Sequence, residues 1–144
     1  MSNIILLIED SASDEKLTVL AFKKCGIPHE VVVMRDGAAA LDYLFAVASD
    51  AKRPAVVLLD LKLPKVDGLE VLRRIRGHET TRSLPVVILT ASREAEDIAR
   101  SYALGANAYV RKPVEFSEFA ETAKTLGRMW LVLNERAPAG GAVS

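Results

Sequence analysis

Five residues in this 144-residue chain have the types and settings for chemistry on an anion: Glu9, Asp10, Asp60, Thr90 and Lys112. Each closes or follows a short apolar run: IILLI before Glu9 and Asp10, AVVLL before Asp60, VVIL before Thr90, and the run inside ANAYVRKP before Lys112. A carboxylate at the mouth of a buried strand is costly unless something nearby needs its charge. If these runs lie side by side, three carboxylates, a hydroxyl and an ammonium meet at one edge. Clustered carboxylates push one of their number toward protonation unless a cation intervenes. Mg²⁺ answers that need, because it takes oxygen ligands and is commonly held by one or two carboxylates plus phosphate oxygens. Zinc does not fit, since Cys25 is the only cysteine and His29 and His78 have no metal-ligand spacing. A hard ion and an ammonium beside a carboxylate, with a hydroxyl opposite, form an arrangement suited to a phosphoryl group.

The elements that must gather these residues alternate strand and helix. NIILLI (3–8), HEVVVM (29–34), AVVLLD (55–60), PVVILT (85–90) and a short run in ANAYVRKP read as strands, and their unbroken apolar character indicates burial on both faces. Between them, helices are expected from Asp14 to Cys25 with Leu17, Leu20, Ala21 and Cys25 inward, and from Asp36 to Ala48 with Ala40, Leu41, Leu44 and Phe45 inward. Asp67 can cap GLEVLRRIRG, a weakly apolar helix covers 93–104, and a long helix runs from Phe116 to Glu135. Five strands each followed by a helix predict an α/β fold, a doubly wound parallel sheet with helices on both faces. Ligands of such sheets sit at the carboxyl ends of the strands.

Charge and length set the frame. Lys plus Arg equals Asp plus Glu at 19 each, which gives no bulk attraction to nucleic acid or to an anionic membrane. The apolar runs are too short to span a bilayer, and the N-terminus has no signal-peptide pattern, so a cytoplasmic protein is expected. One domain, residues 1–134, is expected to precede a disordered tail, 135–144. In the last helix Phe116, Phe119, Ala120, Ala123, Leu126 and Trp130 form a core stripe, while Met129 and Val132 point away from it. Because Met129 to Leu133 is apolar nearly all round, Met129, Trp130, Val132 and Leu133 are read as a homodimer contact.

ED at 9–10, LLDLKLPKVDG at 58–68, ILTAS at 88–92 and YVRKP at 109–113 resemble, in that order, the receiver domain of two-component response regulators. The resemblance covers residues 3 to about 134. SYALGANAYVRKPVEFSEF with a C-terminal MWL looks most like the single-domain regulators paired with phytochrome-type histidine kinases. It implies a flavodoxin-like strand order, 2-1-3-4-5. It implies that Asp60 accepts a phosphoryl group from a kinase phosphohistidine. Asp10, Asp60 and the Lys62 backbone carbonyl would ligate Mg²⁺, with Glu9 acting through water, and Lys112 would pair with the phosphoryl group. Thr90 and Tyr109 would form the switch, Lys62 and Ser92 would tune the acyl-phosphate lifetime, and the Lys112–Pro113 bond would be cis.

The implied partners are a sensor histidine kinase, a bacteriophytochrome among the candidates, a downstream phosphotransfer protein, and a second copy of the chain. The ten residues after 134 are too few for a helix-turn-helix. The alternative from the enzyme class is an aspartyl-phosphate-type phosphatase or phosphotransferase acting on a small substrate. Such enzymes place a second Asp two residues after the first, where this chain has Lys62. The other rival is an interaction module with a vestigial pocket, against which the full set of five residues argues.

Overall fold

The computed structural model describes residues 3–47, 52–113 and 115–137. In chain order the elements are β1 (Ile4–Ile8), α1 (Ala12–Lys23), β2 (Glu30–Met34), α2 (Gly37–Val47), β3 (Val56–Leu59), α3 (Gly68–Gly77), β4 (Val86–Thr90), α4 (Ala95–Ala103), β5 (Ala108–Arg111) and α5 (Phe116–Gly127), closed by a π-helical turn, Arg128–Leu133. The strands form one parallel sheet in the order β2-β1-β3-β4-β5, the expected topology. Successive strand residues face opposite sides. Leu6, Ile8, Val57, Leu59, Val86 and Ile88 therefore pack with α2 and α3, while Ile5, Leu7, Val56, Leu58, Val87 and Leu89 pack with α1 and α5. No helix of the described residues is long and apolar enough to cross a membrane.

Burial on both faces holds for the three central strands only. β2 and β5 are half-buried, since each has a neighbour on one side alone. α1 is turned by about one residue from its expected face: Thr18, Ala21 and Phe22 are inside, whereas Leu17 and Leu20 are exposed. The Ser11 hydroxyl caps this helix, which starts it two residues early, and Phe22 is the largest side chain that α1 gives to the core beneath α5. Phe45 likewise leaves the core stripe of α2 and stacks on the His78 ring at 4.5 Å. The expected end of α2 at Ala48 and most of the expected tail, 138–144, lie outside the described residues.

The long last helix changes winding partway. After Gly127 the turn widens, and the Asn134 N–H donates to the Met129 carbonyl five residues back at 2.8 Å. This wider turn swings Leu131 into the core beneath α5 and leaves Trp130 half-buried against the same cluster. Met129, Val132 and Leu133 stand exposed. Of the four expected dimer-contact residues, three thus face solvent and Trp130 serves the protein's own core.

Candidate functional site

The register of the sheet brings the chemistry together. Ile8 pairs with Leu59, and the Asp60 N–H donates to the Ile8 carbonyl at 3.1 Å, so Glu9 and Asp60 leave adjacent strands side by side. Thr90 ends β4 on the other side of β3, and the Lys112 N–H donates to the Thr90 carbonyl at 2.8 Å just past β5. Every one of these groups stands at the carboxyl end of its strand, as a doubly wound sheet dictates.

Beyond Asp60 the chain turns back on itself at once. Lys65 takes a left-handed backbone (φ 68°), and the Gly68 N–H returns to the Leu61 carbonyl at 2.9 Å. A Cβ at Gly68 would lie 2.4 Å from the Asp60 carbonyl oxygen, so only glycine admits this fold-back. Asp67, immediately before it, caps α3 by accepting from the Glu70 N–H. The Pro-Lys-Val-Asp-Gly turn thus ends a core strand, starts a helix, and leaves the Asp60 side chain at the rim.

Both oxygens of Asp60 are engaged. Oδ1 accepts from the Thr90 hydroxyl at 3.0 Å and from the Lys62 N–H at 3.2 Å, while Oδ2 accepts from the Lys112 ammonium at 2.8 Å. Lys112 also donates to Glu9 Oε1 at 2.5 Å and to Asp14 Oδ2 at 2.9 Å. Burial alone would raise the Asp60 carboxyl, but the hydrogen bond and charge of Lys112, with Lys62 and Thr90 adding to them, outweigh it and hold the group below its ordinary pKa. Glu9 goes the other way. Its burial, aided by the charge of Asp60, exceeds the help from Lys112 and the Ser11 N–H and pushes it up to about 7. Lys112 is held firmly protonated, because its bonds to Asp60, Glu9 and Asp14 overcome the opposing effect of burial.

Tyr109 is half-buried, and its hydroxyl donates to the Ser92 carbonyl at 3.0 Å. The Ser92 N–H reaches back to Thr90 Oγ1 at 3.5 Å, and its hydroxyl donates to Asp97 at 2.6 Å. Thr90 and Tyr109, the expected switch pair, are therefore joined through one residue.

Asp10 is at the same edge, one residue beyond Glu9, but its side chain is exposed and makes none of the site's hydrogen bonds or ion pairs. Among the described residues no three His, Cys, Asp or Glu side chains are gathered as ready ligands of one metal ion; the carboxylates converge on the Lys112 ammonium instead. Their oxygen chemistry nevertheless suits a hard divalent ion, since three carboxylates share one ammonium and burial holds Glu9 above its ordinary pKa. No peptide bond among the described residues is cis, so the expected cis Lys112–Pro113 bond is not found; the trans form is the lower-energy one for X–Pro generally.

The reading from sequence missed Asp14. It began α1 at this residue, whereas Ser11 is the cap and Asp14 sits in the first turn, where its N–H is bonded to the Ser11 hydroxyl at 3.3 Å. The Ser-x-x-Asp spacing was the available signal, since it marks a helix start three residues ahead of an acid. In this fold the acid's side chain turns to Lys112.

Comparison with known proteins agrees with this geometry. The response regulator receiver domain matches residues 5–124. Response regulator Rcp1 of Synechocystis sp. (strain ATCC 27184 / PCC 6803 / Kazusa) is 37% identical over 89% of this chain and 88% of its own length. Its Mn²⁺-bound structure superposes with a TM-score of 0.82 at 34% identity, covering 93% of this chain and 98% of that one. The phosphorylated cyanobacterial phytochrome response regulator RcpA gives a TM-score of 0.86 at 38% identity, covering 94% and 99%. The bacteriophytochrome response regulator AtBRR is 54% identical, with a TM-score of 0.71 and the same coverage. The chain belongs to the response regulator receiver domain family and is homologous to its phytochrome-associated members.

Proposed function

We propose that Asp60 accepts a phosphoryl group from the phosphohistidine of a sensor histidine kinase in a Mg²⁺-dependent reaction. An Asp60 oxygen bonds to phosphorus as the phosphorus–nitrogen bond breaks, the imidazole nitrogen keeps the electron pair, and the product is an acyl phosphate. The observation that carries this reading is the convergence of Thr90, Lys62 and Lys112 on the two oxygens of one ionised aspartate at a strand end. Glu9, Asp10, Asp60 and the Lys62 carbonyl would hold Mg²⁺, which when bound neutralises charge on the transferring group. Binding of a divalent ion by the related Rcp1 supports this assignment.

The phosphoryl group then biases a two-state equilibrium. Once Asp60 is modified, its phosphoryl oxygens offer the Thr90 hydroxyl a more highly charged acceptor than Oδ1 does now. Movement of Thr90 loosens the Ser92 N–H, and Ser92 in turn holds the Tyr109 hydroxyl. The face built by α4, β5 and α5 is the output surface. Similarity to RcpA and AtBRR supports a phytochrome-type kinase as the input, and a phosphotransfer protein is a fitting recipient. The protein works in the cytoplasm as a phosphoacceptor, not as an enzyme turning over a small substrate, because Lys62 stands where such an enzyme places its second Asp.

Acetyl phosphate with Mg²⁺ tests the reading. The chain is expected to gain about one phosphoryl group, retained as an acid-stable, base-labile adduct. Steady release of phosphate over many turnovers would point to the enzyme class, and no uptake would mean a dead pocket.

The exposed Met129, Val132 and Leu133 form the contact with a second copy in this proposal. Met129→Glu combined with Val132→Glu is expected to shift the sedimentation coefficient from dimer to monomer while the variant stays folded, since neither side chain is in the core, with a melting temperature that no longer depends on protein concentration. An unchanged coefficient would remove this surface from the interface.

A further inference from the structure

The Lys112 ammonium has three protons to donate, and each has its own carboxylate: Glu9, Asp60 and Asp14. The side chains of Glu9, Asp60 and Lys112 are 1%, 10% and 8% exposed, that of Asp14 38%. Asp14 has no part in the reaction as set out so far. We propose, resting on the phosphoacceptor reading of Asp60, that Asp14 is a positioning residue for Lys112. Together with Glu9 it anchors the ammonium at two points, so that the third N–H passes from Asp60 Oδ2 to a phosphoryl oxygen while the nitrogen stays in place.

The turn from β1 into α1 builds both anchors. The Ser11 N–H donates to Glu9 Oε2 at 3.2 Å, and the Ser11 hydroxyl accepts the Asp14 N–H at 3.3 Å. One turn further on, the Thr18 hydroxyl donates to the Asp14 carbonyl at 2.8 Å. Asp14 is thus held by its backbone on either side while its carboxylate reaches across to the segment after β5. Lys112 is tied at its own backbone to Thr90. A lysine stem has many rotamers, and an ammonium left to find the phosphoryl group in the transition state would lose that freedom during the reaction. Two fixed carboxylates remove the freedom beforehand, which is the physical content of preorganised charge stabilisation.

Coulomb's law alone predicts the opposite sign for removing Asp14, and this makes the proposal testable. The donor is an anion, and deleting a carboxylate beside its landing site favours its approach. A positioning role predicts slower uptake despite that gain. In full-length Asp14→Ala, at saturating Mg²⁺, the maximal rate of phosphoryl uptake from acetyl phosphate is expected to fall between about 10- and 100-fold. The half-saturating donor concentration should stay the same or decrease. Asp14→Asn, which keeps an acceptor oxygen, should recover part of the rate. A maximal rate at or above wild type in Asp14→Ala overturns the proposal.

A second readout needs neither donor nor metal. The Lys112 ammonium protons, shielded by three acceptors, should give a proton–nitrogen NMR signal in the wild-type protein that exchange with water broadens away in Asp14→Ala. Persistence of that signal also overturns the proposal. If the wild-type chain itself takes up no phosphoryl group, the reading of Asp60 fails, while the ammonium signal still decides whether Asp14 anchors Lys112.

Discussion

Asp60→Asn is expected to take up no phosphoryl group from acetyl phosphate and Mg²⁺, under conditions in which the wild-type chain is labelled. Four carboxylates lie at or near this edge, and the geometry separates them. Asp60 and Glu9 each have both oxygens held, but only Asp60 receives a hydroxyl, that of Thr90, and its contacts with Thr90, Lys62 and Lys112 keep it ionised and nucleophilic. Glu9 is deeply buried and burial pushes it up to about 7, which favours its protonated form over an attacking carboxylate. Asp14 and Asp10 lie toward solvent, with no hydroxyl and no backbone N–H directed at their carboxylates among the described residues. The asparagine keeps an oxygen for Thr90 and Lys62, so the loop after β3 should hold its shape. An amide cannot form the acyl phosphate. Mass spectrometry of the intact protein reads the adduct directly, and undiminished labelling of the variant would place the acceptor elsewhere.

What could be read from the residues follows a physical divide. Strand identity was legible because unbroken apolar runs such as IILLI and VVIL have few alternatives to central parallel strands, and short connections indicate a doubly wound sheet, whereas the strand order came from the family resemblance. The convergence of Asp60, Thr90 and Lys112 then follows from strand ends alone, with no knowledge of side-chain direction. Features that depend on rotation about a helix axis were less legible. Leu17 and Leu20 are as apolar as Phe22, and only docking against α5 and the sheet decides which of them faces inward. In the last helix a single widened turn, invisible in composition, exchanges Trp130 for Leu131 as the buried side chain.

The same divide runs through the site. A strand end announces where Glu9 and Asp10 lie, yet the two neighbours have opposite fates: Glu9 turns to the buried Lys112 and Asp10 to solvent. The alternation of β1, continued one step past Ile8, sends these consecutive side chains to different sides. Asp14 needed the exact helix start, and helix ends are where reading from residues is coarsest.

Lys112→Ala is expected to leave a folded protein that is destabilised and slow to phosphorylate, and the two losses should respond differently to Mg²⁺. The ammonium is the shared counter-charge of three carboxylates, two of them within the protein interior. Removing one partner of a buried ion pair costs about 3–5 kcal/mol, because the charge left behind is desolvated and unpaired. Against a total stability of about 5–15 kcal/mol the fold survives, with a melting temperature lowered by roughly 10 °C. The sign of the pH dependence follows from proton binding. With Lys112 gone, Glu9 loses the contacts that hold its pKa down, so the folded variant binds a proton that the unfolded chain releases near its ordinary value of 4.5. Wild-type Glu9 gives up its proton near 7 while the variant's keeps it, so stability of the variant relative to wild type is expected to decrease as pH rises through about 7, and protonation of Glu9 softens the loss at the acid end. Mg²⁺ supplies the missing positive charge and should restore much of the melting temperature at pH 8. It should not restore the rate, because a metal ion has no N–H to hand to the phosphoryl oxygen. Thermal unfolding at pH 5.5 and 8, with and without Mg²⁺, alongside labelling by acetyl phosphate, resolves these effects; a variant with wild-type stability and wild-type uptake would remove Lys112 from both the charge balance and the reaction.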